Sequence, residues 1–206
     1  AEKKAKADKP KEEKKPKAEK KAAPKEENYE EDEPAPVVKK EDHIFKIMDK
    51  ESPTAFSMDA WKKTYSNCAT YEEAMEEFWK VFEPKGWSIF RGEYKYNDEC
   101  KVLFMTSNLI GGFIQRTEEI RKWLFGSMTI RGSVEGGMKV TGLFLIRGDD
   151  ISPLVKCNDD AECYEWKKVA GGDMVVTEEL KKTMYDYWCS EGPLDGEPCL
   201  DSRCYK

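Results

Sequence analysis

From Ala1 to His43 the chain contains no Leu, Ile, Met, Phe or Trp, whereas from Ile44 onward aliphatic and aromatic side chains recur every few positions. The sizeable apolar groups of the first segment are Tyr29, Val37 and Val38. So little apolar surface cannot offset an ordering cost of roughly 1–2 kcal/mol per residue. Residues 1–43 are therefore expected to be a disordered Lys/Glu/Pro-rich linker. Residues 44–206 are expected to form one globular domain, a comfortable length for a single core.

Charge divides the first segment again. Residues 1–25 hold eleven Lys against five acids, and residues 26–42 hold two Lys against eight acids. These halves cancel, so the net charge of −6 belongs to the globular part. Five prolines favour extended polyproline geometry. A solvated linker is the preferred reading; the alternative is a basic arm that touches RNA, the cytoskeleton or an anionic membrane. Lysines dispersed among glutamates, with no aromatic before Tyr29, make a poor base-stacking surface. No run of eighteen apolar residues predicts a membrane span, and no apolar stretch near Ala1 predicts a secretory signal. A chain opening on Ala1 is expected to be a segment of a longer protein. Seven cysteines without a CxxC pair, and a single His, make no familiar zinc pattern. Free thiols in a reducing cytoplasm follow, although Cys199 and Cys204 are close enough in sequence to pair if oxidised.

In the domain, Ser57 is placed to cap a helix ending near Asn67. Thr70-Tyr71-Glu72-Glu73 reads as a capping box before a helix whose apolar face comprises Ala74, Met75, Phe78, Trp79, Val81 and Phe82. Pro84 and Gly86 stop it. A strand is predicted from Trp87 to Tyr96, then a turn at Asn97-Asp98. KVLFMTS (101–107) reads as a buried strand completing a hairpin. Residues 108–126 read as a helix with Leu109, Phe113, Ile120 and Leu124 on one stripe. Its Gly111-Gly112 pair costs about 1 kcal/mol per glycine and predicts close approach of another backbone or a partner. Two strand patterns around VEGGM make a hairpin, CYEWKKV adds a strand, and Thr177 caps a last helix carrying Leu180, Met184, Tyr187 and Trp188. The fold class is α+β: an antiparallel sheet of about five strands surrounded by helices.

Seven rings fall within residues 78–96. Phe78, Phe82, Trp87 and Phe90 fit one core, whereas Tyr94 and Tyr96, with reachable hydroxyls, suit an interface. No phosphate-binding glycine motif or nucleophile elbow occurs. His43 cannot join a Cys or Ser unless the tail edge folds back over the domain. Asp149-Asp150, Asp159-Asp160 and Glu118-Glu119 read as solvated acids. Neither an enzyme, nor a cofactor, nor a metal site is expected.

The stretches YSN, FWKVFEPKGWSIFRGEYKY, FMTSNLIGGFIQR, GLFLIRG and YEWKKV, in this order, resemble the C-terminal domain of the gamma subunit of translation elongation factor 1B, from about Thr54 to the C-terminus. The ending CSEGPLDGEPCLDSRCYK departs from the common family pattern. The resemblance implies a non-catalytic, cytoplasmic module with an antiparallel sheet enclosed by helices. It also implies a glutathione-transferase-like domain on the N-terminal side of the linker, anchoring gamma to nucleotide-exchanging subunits that reload elongation factor 1A. Partners are thus the other elongation factor 1B subunits and, through them, elongation factor 1A; the segment itself is expected to be monomeric. Within the family-like motifs, Tyr94, Tyr96, Asn108, Gln115, Arg116 and Arg147 form the candidate partner surface. The plain alternatives are that Asn108 caps the following helix and that both arginines pair with surface acids, each contact worth about 0–1 kcal/mol.

Overall fold

The computed structural model describes residues 43–189 and 192–206; the linker expectation for residues 1–42 lies outside them. Five strands, β1 (Trp87–Tyr94), β2 (Leu124–Ser133), β3 (Gly137–Arg147), β4 (Tyr164–Ala170) and β5 (Cys199–Tyr205), form one antiparallel sheet in the order β4-β1-β3-β2-β5. The β2–β3 hairpin runs in register from Leu124 opposite Ile146 to Ser133 opposite Gly137. Its turn needs glycine: Gly132 has φ +101°, and a Cβ there would lie 2.4 Å from the Gly137 carbonyl oxygen.

The central strand β3 is buried without a break from Val140 to Arg147, so both sheet faces are covered. On one face lie α2 (Met58–Asn67), α3 (Tyr71–Val81) and α6 (Glu178–Trp188), capped as the sequence predicts by Ser57, Thr70 and Thr177. They deliver Trp61 and Trp188, which meet Phe125 of β2 with ring centres 5.3 and 5.1 Å apart, and Phe78, which packs on both tryptophans at 4.8 and 5.6 Å. On the other face, α4 (Leu103–Arg116) sets Phe113 against Phe144 and Tyr164. Trp166 closes this layer by lying over Gly92, where a Cβ would be 2.6 Å from the indole.

Several elements differ from the sequence reading. Residues 101–107 are not a strand, because β1 already has β3 on one side and β4 on the other and offers no free edge. The chain instead turns at Asn97, whose amide donates to the Tyr94 carbonyl (2.7 Å) and accepts from the Val140 amide (2.8 Å). The helix then starts at Leu103 and stops at Arg116; a 3-10 turn (Glu118–Trp123) follows, and Leu124 already belongs to β2. The apolar run before Asn108 fits helix and strand equally well by pattern, and Thr106, Ile110 and Phe113 at helical spacing settle it. Val81 faces solvent and is not part of the α3 core face. The helices α1 (Ile44–Glu51) and α5 (Ser152–Cys157) and the edge strand β5 carry no strong local signal.

Arg147 holds α1 to the sheet. It sits opposite Trp87 at the end of β3, 2% exposed. Its Nε donates to Asp49 Oδ1 (3.0 Å), one Nη to the Gly86 carbonyl (2.6 Å), and the other to the carbonyls of Met48 (3.2 Å) and Ser52. The second oxygen of Asp49 accepts from Trp123 Nε1 at 2.6 Å. One guanidinium thus serves the C-terminal carbonyls of α1, where a cation also complements the helix dipole. Arg147→Met fills the volume but supplies no donor. It is expected to lower stability by roughly 3 kcal/mol, a fall in Tm of roughly 6–12 °C, with faster amide exchange in residues 44–51. An unchanged Tm in thermal unfolding would refute this role.

Candidate protein-interaction surface

The helix α4 has two unlike faces. Thr106, Ile110 and Phe113 point inward and are buried. The opposite row, at the same helical spacing, is Phe104, Asn108, Gly111 and Gln115. Phe104 is 72% exposed and its neighbour Met105 66%, with Val102 half exposed before them. Tyr94, half-buried, leans on Tyr164 (5.2 Å between ring centres) and on Tyr96 (5.7 Å), which is itself exposed. A shallow groove of about 200 Å³ runs between them, lined by Tyr94, Cys100, Val102, Met105, Thr106 and Leu109. Burial, with the thiols of Cys163 and Cys100 nearby, raises the Tyr94 hydroxyl above its ordinary pKa, so it stays a neutral donor.

Five of the six residues singled out from sequence flank this helix. Tyr94 faces its first turns across the groove with Tyr96 packed on it, and Asn108, Gln115 and Arg116 are exposed along the helix. Asn108 caps nothing, because the helix begins five residues earlier, at Leu103. Arg116 pairs with Asp160, the surface acid that the plain reading expects. Arg147 is not part of this surface: its donors are spent inside the fold, as described above.

The glycine pair takes on a different meaning in three dimensions. Among the described residues no atom lies within 4 Å of a Cβ built on Gly111, and the nearest to one on Gly112 is the Arg116 guanidinium, paired with Asp160, at 3.1 Å. No neighbouring backbone of the fold approaches there. Internal packing among the described residues gives no reason for Gly111, although it weakens the helix. The apolar residues Phe104 and Met105 were missed as surface groups, since a buried strand was predicted at 101–107. An amphipathic count begun at Leu103 puts Phe104 on the row opposite Phe113 and Met105 on the flank between the two rows.

His43 also departs from expectation. It opens α1, accepts from the Phe45 amide (3.4 Å), stacks on Trp123 (5.5 Å) and brings Nε2 to 3.4 Å from Cys157 Sγ. The edge of the first segment does fold back, and the chain's one histidine meets a thiol. Burial, aided by Glu119, pushes the Cys157 thiol up, away from the thiolate a nucleophile requires. Among the described residues no cluster of His, Cys, Asp or Glu is arranged to hold a metal ion, and no helix is long and apolar enough to cross a membrane.

The family model described as "Elongation factor 1 gamma, conserved domain" matches residues 43–150. This interval holds α1 to α4 and the adjacent strands β1, β3 and β2, while both edge strands lie beyond it. Elongation factor 1-gamma of Prunus avium is 41% identical over 89% of this chain and 42% of its own length. Probable elongation factor 1-gamma 1 of Arabidopsis thaliana is 38% identical over all of this chain and 48% of its own length. Elongation factor 1-gamma 2 of Saccharomyces cerevisiae is 36% identical over 79% of this chain and 37% of its own length. The chain therefore spans about half the length, or less, of the curated relatives it matches. With the model covering more than half of the chain, and the α4 face and the Arg147 joint inside the match, the chain belongs to the elongation factor 1-gamma family.

Proposed function

We propose that this domain serves translation elongation as a non-catalytic interaction module of the elongation factor 1 complex, and that the outer face of α4 with Tyr94 and Tyr96 receives a protein partner. The observation that carries the reading is the exposure of Phe104 and Met105 beside Gly111, a glycine the fold itself does not require. Burying a Phe side chain is worth about 1.5–3 kcal/mol, and a glycine on the same row lets a second backbone lie close to the helix. Tyrosines and amides around an apolar centre match the usual anatomy of an interface. The partner is another subunit of that complex, since the relatives carry the name of its gamma component. Nucleotide exchange on elongation factor 1A then belongs to other subunits, and the module works in the cytoplasm alongside them.

Phe104→Asp with Met105→Asp tests this directly. Binding of purified elongation factor 1 subunits to the 206-residue chain is expected to weaken by about tenfold or more. Tm should stay unchanged, because both side chains already face water. Equal binding by the double variant would sink the reading. Gly111→Ala separates stability from binding. It is expected to stabilise the domain by about 0.5–1 kcal/mol and to weaken the partner's binding; a lowered Tm would mean that the fold needs the glycine after all.

The proposed lack of catalysis has its own measurement. Burial raises both Cys157 and Cys189, the latter to about 12. Mass spectrometry after iodoacetamide treatment of the native chain at neutral pH should find both unlabelled, while the denatured chain labels fully. Rapid native alkylation of Cys157 would reopen the His43–Cys157 pair as a nucleophilic centre.

A further inference from the structure

In the helix layer opposite α4, next to the β5 edge, α2 and the 3-10 turn before β2 enclose a second hollow of about 700 Å³. Lys62, Lys63, Arg121, Lys122 and Lys206 line it against one carboxylate, Asp59. Five cations gather here although the chain as a whole carries a net charge of −6. Lys63 and Lys122 form no ion pair among the described residues. Lys62 is half-buried, with Nζ donating to the Arg121 carbonyl (2.7 Å) and lying 5.0 Å from the centre of the Tyr205 ring. Burial, then repulsion from Arg121, lowers its pKa to about 8, against the opposing pull of Asp59 and Glu118. A group whose folded pKa is depressed in this way gains from any anion brought close.

The rings and the guanidinium narrow the choice of anion. Tyr205 and Tyr65 are buried beneath Lys62 and Lys206, so neither offers a free face for stacking a base. Arg121 already donates to Glu118 (2.9 Å) and to the Lys206 carbonyl (3.2 Å), which takes away the fork that would grip a phosphate in two-point fashion. What remains is a set of lysine point charges distributed around an open hollow. That arrangement suits several separate carboxylates better than one compact oxyanion. We propose that this hollow is a docking site for an acidic, carboxylate-rich protein segment. The site is separate from the α4 face and does not depend on the reading given to that face.

The test is a titration of the 206-residue chain with fluorescent decaglutamate at low salt. Two charge-matched double variants are compared: Lys63→Glu/Lys122→Glu in the hollow and Lys85→Glu/Lys156→Glu elsewhere, all four side chains being exposed. Both leave residues 1–42 unchanged, so any binding by that segment is common to the two. The hollow pair is expected to lose about tenfold in affinity and most of the salt dependence, the control pair little of either. In the unaltered chain, the Lys62 amine followed by NMR should titrate at higher pH once the peptide is bound. Equal losses in the two pairs, a Lys62 titration that does not move, or tighter binding of oligouridylate through Lys63 and Lys122 would each overturn the proposal. The last outcome would make the hollow a nucleic-acid site.

Discussion

The fold turns on one buried guanidinium. Arg147 ends the central strand, and its donors reach Asp49, two carbonyls at the end of α1 and the carbonyl of Gly86 just before β1. A buried arginine is tolerable only when nearly every donor is satisfied, so the position of α1 is not adjustable. Through Asp49 the same joint also fixes Trp123, whose ring stacks on His43 and Phe45. The β2 entry, the start of the domain and the end of β3 are thereby held as one unit. A residue that looks like a surface charge in sequence is the means by which the first helix is attached.

A second constraint is that β3 is covered on both faces. Each side of the sheet needs its own helix layer, which is why the aromatic side chains divide into two groups. Trp61, Phe78, Phe125 and Trp188 fill one layer, and Phe113, Phe144, Tyr164 and Trp166 fill the other. The second layer rests on α4, whose buried inner row is flanked by the half-buried Leu103, Leu109 and Ile114. Its outer row is then free of structural duty, and it is there that Phe104 and the unneeded Gly111 appear, with Met105 exposed on the flank. The interval that places the chain in the elongation factor 1-gamma family contains this face. The two surfaces differ in chemistry, one apolar and tyrosine-rimmed, the other cationic, and they occupy opposite helix layers.

Much of this was legible before any coordinates. The caps at Ser57, Thr70 and Thr177 mark three helices because a side-chain oxygen satisfies backbone donors locally. The β2–β3 hairpin is equally local, since its turn requires glycines at positive φ. Of the residues chosen by motif and amphipathic character, Asn108, Gln115 and Arg116 lie exposed along α4, and Tyr94 faces its first turns. Phe104 and Met105 were not chosen, since an apolar run has no visible inside or outside until its period is anchored.

Local chemistry in the sequence thus determined where three of the helices start, where the hairpin turns and that the sheet is antiparallel, while the ordered motifs carried the resemblance to the gamma family. Tertiary structure alone decided the rest. Residues 101–107 became the beginning of α4 because β1 had no free edge, and β5 completed the sheet instead. Arg147 went inward because three distant carbonyls and a carboxylate converge on it, and His43 met Cys157 because that joint folds α1 back. The physical reason is common to all of these. Caps and turns are satisfied by neighbours in sequence, whereas the burial of a charge or the exposure of a Phe depends on which remote element arrives beside it.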